Sequence, residues 1–225
     1  FFMARYTASA SEGLQGRPIL LRHQLAYGGG NLLGSGALAI SGAWLLYLYT
    51  TFCGLTLIEA SFIFSVASII DAISNPLMGY LTDNFGKTRL GKRFGRRRFF
   101  LLIGIPLMMF YPLLWVEGLS FWYYLSTYVV FEIIYTSIMV PYETLATEMT
   151  DDFSLRSKLT GYKAIFGKLA NFLAAFIPGQ FILLYGKDSA TPFFLTGLTY
   201  GAILIVAISC LWLCSWERER GEEVE

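Results

Sequence analysis

The sequence predicts an all-α membrane protein, a six-transmembrane-helix bundle. Three observations carry that prediction. Hydrophobic residues make up 55% of the chain and charged residues only 15%. Six apolar stretches approach or exceed the roughly 20 residues needed to cross about 30 Å of hydrocarbon. The Lys and Arg residues gather at alternate ends of those stretches. A soluble domain of 225 residues seldom carries so much apolar side-chain surface.

The stretches run from about 25 to 50, 57 to 82, 99 to 117, 120 to 147, 158 to 185 and 191 to 215. The first holds Tyr27-Gly28-Gly29-Gly30-Asn31 and Gly34-Ser35-Gly36. A Gly-rich run with no preceding strand favours close helix packing over nucleotide binding. The second stretch carries Asp71, and a carboxylate near mid-membrane costs roughly 2.5 to 3.5 kcal/mol even on a lenient insertion scale. The third carries no charge before its last residue, Glu117, whereas the fourth and fifth carry Glu132, Glu143, Lys163 and Lys168. Connections near 51 to 56, 117 to 120 and 185 to 191 are short, and only 83 to 98 is long. The expected organisation is an N-terminal segment 1–23, a helical bundle 24–215, and the start of a linker at 216–225. The charged tail Trp216-Glu217-Arg218-Glu219-Arg220 reads as part of something larger. Trp44, Trp115 and Trp122 are expected mainly as interfacial anchors.

The net charge of +1 conceals a strong asymmetry. Fourteen of the 17 basic residues fall on one side: Arg5, Arg17, Arg22, the seven between Lys87 and Arg98, Arg156, Lys158, Arg218 and Arg220. Lys163 and Lys168 lie within a helix, which leaves Lys187 for the other face. The positive-inside rule therefore places both termini in the cytoplasm, with the protein in the inner or plasma membrane. Nucleic-acid binding is disfavoured, because the basic loop follows a membrane helix and has no interleaved stacking platform. Enzyme chemistry has little support, since the lone His23 has no evident nucleophile. Cys53, Cys210 and Cys214 show no metal spacing and are expected to be packing residues.

In the second stretch Ser61, Ser65, Ser68, Asp71, Asn75, Gly79 and Thr82 recur at steps of three or four and form one stripe. Such a stripe is expected to face protein or water. Pro76 frees the carbonyl of Ala72 beside Asp71 and Asn75, so oxygens collect where a small cation can sit. The alternative is that Ser and Asn merely bond adjacent helices. The fourth stretch aligns Glu132, Thr136, Met139, Glu143 and Thr147 on one face, with Pro141 among them. By depth, Asp71 is expected to meet Glu132 and Thr136, and Glu143 to meet Lys163 as either a static pair or a working one. Lys168 is placed within reach of Glu132 or, alternatively, snorkels toward the cytoplasm. Asn31 and Ser35, one turn apart, are candidates for lining a cavity.

At this point the motifs resemble a known family. Gly79-x-x-x-Asp83-Asn84-x-Gly86-Lys87 is similar to the loop between the second and third helices of the major facilitator superfamily, with Asn84 in place of a basic residue. Asp71-Ala72-x-x-Asn75-Pro76-x-x-Gly79, the loop ending Gly95-Arg96-Arg97-Arg98, and Pro141-Tyr142-Glu143 resemble its glycoside-pentoside-hexuronide:cation symporter branch. The resemblance spans about residues 24 to 215. It implies the N-terminal half of a twelve-helix fold, with solute held between two six-helix halves that rock to alternate access.

The same resemblance implies a cation site at Asp71, Ser74, Asn75 and Thr136, where Asn75 replaces a second carboxylate and Glu132 stands ready to restore that charge. Solute contacts are expected from Asn31, Ser35, Tyr135, Met139, Glu143, Lys163 and Lys168. Of these, Tyr135 matches the family pattern. Ser35 and Met139 replace acids of the galactoside carriers, Glu143 replaces a Trp, and Lys163 neighbours the place of a family Arg. Gating is expected from Gly79, Asp83, Gly86, Lys87, Arg96, Arg97 and Arg98; the resemblance implies that Asp83 approaches a helix of the other half, and the alternative is a cap or a local ion pair with Arg96 to Arg98. The expected function is a symporter moving a sugar, glycoside or related solute with Na+ or H+. The alternatives are a scaffold or receptor that kept this fold, or an uncoupled facilitator. The expected partners are a small-molecule solute, the lipid bilayer and a C-terminal six-helix half; no cofactor is expected.

Overall fold

A computed structural model describes residues 18–217. Arg5, Arg17, Arg218 and Arg220, together with most of the expected N-terminal segment and linker, lie outside the described residues. Six helices are long and apolar enough to cross a membrane: α1 (Leu21–Thr51), α2 (Leu57–Phe85), α3 (Arg98–Trp115), α4 (Phe121–Met149), α5 (Phe153–Tyr185) and α6 (Thr191–Leu213). A short loop helix, Arg89–Phe94, lies between α2 and α3. No strand occurs among the described residues.

Local chemistry sets the helix ends. The Thr56 hydroxyl accepts from the Glu59 amide at 3.2 Å and opens α2, with Glu59 favourably placed in the positive first turn. Asp152 accepts from the Ser154 amide at 2.8 Å and starts α5 at Phe153, ahead of the expected 158, because this first turn is too polar to register as membrane. His23 accepts from the Leu20 amide at 3.0 Å, so the lone histidine caps α1, which begins ahead of the expected 25. Pro106 and Pro112 leave missing amides in α3, whose second half, Met108–Trp115, tightens into a 3-10 helix. Helix α1 instead widens into π turns over Leu32–Ala37 and Ser41–Leu45.

The Gly-rich run of α1 is a packing surface. A side chain at Gly28 would strike the backbone of Tyr162 in α5. One at Gly36 would meet Tyr200 of α6, whose hydroxyl donates to the Leu32 carbonyl at 2.5 Å. Trp115 is fully buried against Gly197 and is not an interfacial anchor; Trp122 is exposed. Tyr49, Phe64, Tyr124 and Tyr128 close the contact among α1, α2 and α4, with centroids 4.9–6.2 Å apart.

Burial is uneven around the bundle. Of the most apolar 18 residues in each helix, 17% are buried in α2 and 28% in α5, against 56% in α4. Helices α2 and α5 therefore present the faces that the other described residues leave largely uncovered.

Candidate functional site

The middle of the bundle joins α2 to α4 through one acid. Asp71, half-buried, accepts through Oδ1 from the Thr136 hydroxyl at 2.7 Å. Its Oδ2 accepts from the Asn75 side-chain amide one turn on, at 3.3 Å. Thr136 is buried, and so is Glu132 one turn before it, which has Tyr128 and Asp71 as polar neighbours. Ser74 is half-buried on the adjoining face and makes no side-chain hydrogen bond among the described residues. Helix α2 continues unbroken through Pro76. Two acids and several neutral oxygens thus meet, and among the described residues no Lys or Arg pairs with either acid. Ionised together they repel, so the arrangement invites either a bound cation or a proton.

The polar stripe of α2 is otherwise less engaged than expected. Ser65 and Ser68 donate to carbonyls of their own helix at 2.8 and 2.9 Å, and Ser61, Ser65 and Ser68 are exposed. The reason is position: these turns lie on the uncovered side of the bundle. Asp71 and buried Thr82 are the stripe members turned toward the protein.

A second group lies toward the basic-loop end. Lys163 reaches Glu143 at 3.6 Å, and its ammonium stands 5.6 Å from the centroid of the Tyr142 ring. The Lys163 side chain is 25% exposed and that of Glu143 60%, so the pair borders open space. Asn31 donates to the Lys163 carbonyl at 2.9 Å and accepts from Ser35 at 3.4 Å. Tyr135 donates to the Gly34 carbonyl at 2.9 Å, with Met139 buried beside the same glycine. Lys168 is the exception: it is exposed and makes no ion pair with Glu132. The facing turns of α4 and α5 meet at Lys163, and the helical rotation to 168 carries its side chain off that contact.

The third group gathers the loop charges. Glu148, buried at the end of α4, takes the guanidinium groups of Arg96 and Arg97 at 2.5 Å each. Arg97 also reaches Asp83 at 3.0 Å, so the expected local partner of Asp83 is present. Lys87 donates to Asn84 at 3.1 Å, Gly86 ends α2, and the Gly79 carbonyl accepts from Thr82 at 3.1 Å. Arg98 donates to the Trp212 carbonyl at 2.6 Å and lies 5.1 Å from its ring centroid. Glu217 completes the cluster by accepting from the amides of Arg96 at 3.1 Å, Arg97 at 2.8 Å and Arg98. These amides open α3, and Gly95, with φ of +96°, turns the chain so that they converge. Burial pushes the Glu217 carboxyl above the usual carboxylate range, against the opposing pull of the Arg98 and Arg97 amides.

Sequence reasoning missed Glu148 and Glu217. Glu148 had a usable signal, since it lies at the end of a membrane helix level with a basic loop. Glu217 had none, because nothing local says where a residue after the last helix will dock.

These three groups stack along one bundle: an acid held by neutral donors at mid-depth, a charged pair beside open space, and a tied loop. Residues 26–224 match the family described as MFS/sugar transport protein. The chain belongs to that family. An uncharacterized symporter of Synechocystis is 27% identical over 226 residues, covering 95% of this chain and 40% of that protein. A putative glycoside/cation symporter of Escherichia coli is 29% identical over 181 residues, covering 76% of this chain and 37% of that protein. A sodium-dependent lysophosphatidylcholine symporter of Xenopus tropicalis is 30% identical over 126 residues, 55% of this chain and 24% of that protein. The expected resemblance to glycoside-pentoside-hexuronide:cation symporters is thereby met, and the six helices fit the N-terminal half of the major facilitator fold. The chain spans two fifths or less of the length of these relatives.

Proposed function

We propose that this chain is the N-terminal half of a secondary active symporter that moves a sugar, glycoside or related organic solute with Na+ or H+ by alternating access. The observation that carries the reading is the Asp71–Thr136 contact at 2.7 Å, with buried Glu132 beside it. An acid held at that depth by neutral donors is costly unless its charge is used. Asp71, Asn75, Thr136, Ser74 and Glu132 form the ion site. Asn31, Ser35, Tyr135, Met139, Glu143 and Lys163 border the solute. Asp83, Arg96, Arg97 and Glu148 tie the loop in one state, and release of the Arg97–Asp83 pair accompanies the other. The uncovered faces of α2 and α5 support a second six-helix half as the missing partner. The basic end faces the cytoplasm, where both termini lie.

Uptake of labelled glycosides into vesicles bearing the full-length protein, with and without Na+ or H+ gradients, tests the reading. Asp71→Asn is expected to lower gradient-driven accumulation at least about tenfold while solute exchange persists, since a coupling loss of 1.4 kcal/mol is already tenfold. Undiminished accumulation in that variant would remove Asp71 from the ion site. Uptake indifferent to both gradients would favour the uncoupled facilitator.

A further inference from the structure

A groove of about 650 Å³ opens on the outer side of the bundle between α1 and α6, with Phe166 of α5 at its floor. Its walls include Leu25, Gly29, Val206 and Cys210, and Arg22 lines one end. That volume falls within the range of small-molecule sites, yet apart from Arg22 the walls offer almost no polar group to orient a soluble ligand. An apolar groove facing the bilayer is filled by hydrocarbon, because water there would be left without partners.

Charge decides which lipid fills it. Arg22 begins α1 at the same end of the bundle as the basic loop, as the neighbouring His23–Trp216 contact at 5.1 Å fixes. It makes no hydrogen bond or ion pair among the described residues. Among the described acids toward that end, Glu148 and Asp83 are engaged by Arg96 and Arg97, Glu217 by the amides of α3, and Asp151 by Arg156 at 3.5 Å. On α5 the exposed cation Lys158 lies two turns nearer that end than Phe166, outside the lining of the groove. The helices are in register there, since Gly28 of α1 packs on Tyr162, midway between the two.

We propose that this groove binds one acyl chain of an anionic phospholipid, with its phosphate on Arg22. The site lies apart from the ion and solute groups and requires only the bilayer setting of the six helices. Basic positions between membrane helices at the cytoplasmic side recognise anionic headgroups in this manner.

Native mass spectrometry of the purified full-length protein, offered equal phosphatidylglycerol and phosphatidylcholine of matched chains, tests it. About a five-fold preference for phosphatidylglycerol is expected for one well-placed cation. Arg22→Gln is expected to bring the ratio close to one, and Cys210→Trp, which fills the groove and spares Arg22, to lower retention of both lipids. Cys210 also reports on the site directly. Its alkylation by N-ethylmaleimide, in a Cys53→Ser, Cys214→Ser background, is expected to be several-fold slower in vesicles containing phosphatidylglycerol than in phosphatidylcholine alone. Free inorganic phosphate or glycerol 3-phosphate added to phosphatidylcholine vesicles should give no protection. Equal retention by wild type and Arg22→Gln, equal alkylation in the two vesicles, or protection by the free anions alone would each overturn the proposal.

Discussion

The mid-membrane acids and the loop acids are built on opposite plans. Asp71 is held by a hydroxyl and an amide, neutral donors that leave its charge uncompensated. Glu148 is held by two guanidinium groups and is as buried as Glu132. The lesson concerns what each acid is available for. A carboxylate matched by two cations serves as a fixed strut, and removing it strands those cations. A carboxylate matched only by neutral donors has no fixed counter-charge, which is the basis for proposing that a mobile ion supplies it.

The largest test of this contrast is Glu148→Ala. Leaving half-buried Arg96 without its acid and Arg97 with Asp83 alone is expected to cost about 3 to 5 kcal/mol, read as a lower unfolding midpoint of the purified protein. A loss below about 1 kcal/mol would reduce the cluster to an ordinary surface pair. Next comes Thr136→Val, which deprives Asp71 of one donor. A cost of about 1 to 3 kcal/mol is expected, together with weaker apparent ion affinity in uptake titrations. Unchanged ion affinity would separate Thr136 from the ion site.

The Glu143–Lys163 pair should matter less for stability. Because Glu143 is largely exposed, Glu143→Gln is expected to move stability by no more than about 1 kcal/mol. Its effect should appear as a change in solute KM. An unaltered solute profile would leave the pair with no part in binding. The smallest effect is expected from Glu217→Gln. Burial raises the folded-state pKa of Glu217. Its stabilising share is therefore complete below the ordinary carboxylate pKa and declines as pH rises through the raised value. The variant should flatten that part of a melting-temperature profile against pH. A wild-type profile of opposite slope would mean that the α3 amides outweigh burial.

Much of the fold was legible in the residues themselves. Membrane helices are recognised by length and apolarity, and both are local properties; the six spans follow from them to within a few residues at most ends. The deviations occur where the terminal turn is polar, as at Phe153, or capped by an unexpected side chain, as by His23. Depth along a helix is also local, at 1.5 Å per residue. It placed Asp71 level with Thr136 and Glu143 level with Lys163, and the contacts follow. Rotation about the helix axis is not local. Lys168 lay at a plausible depth but on an exposed face away from Glu132, and the serines of α2 occupy a stripe that the described residues leave open.

By itself, then, the sequence determined the helices, their depths, the charged end of the bundle and the motifs of the family. Only the tertiary structure decided which acid received cations and which received neutral donors. It also decided that Glu217 would close the loop and that Arg22 would border an apolar groove. The physical reason is that partition into a bilayer depends on each segment's own surface. Charge compensation depends instead on which side chains of different helices turn toward one another, and that is set by packing around glycines and aromatic rings far along the chain.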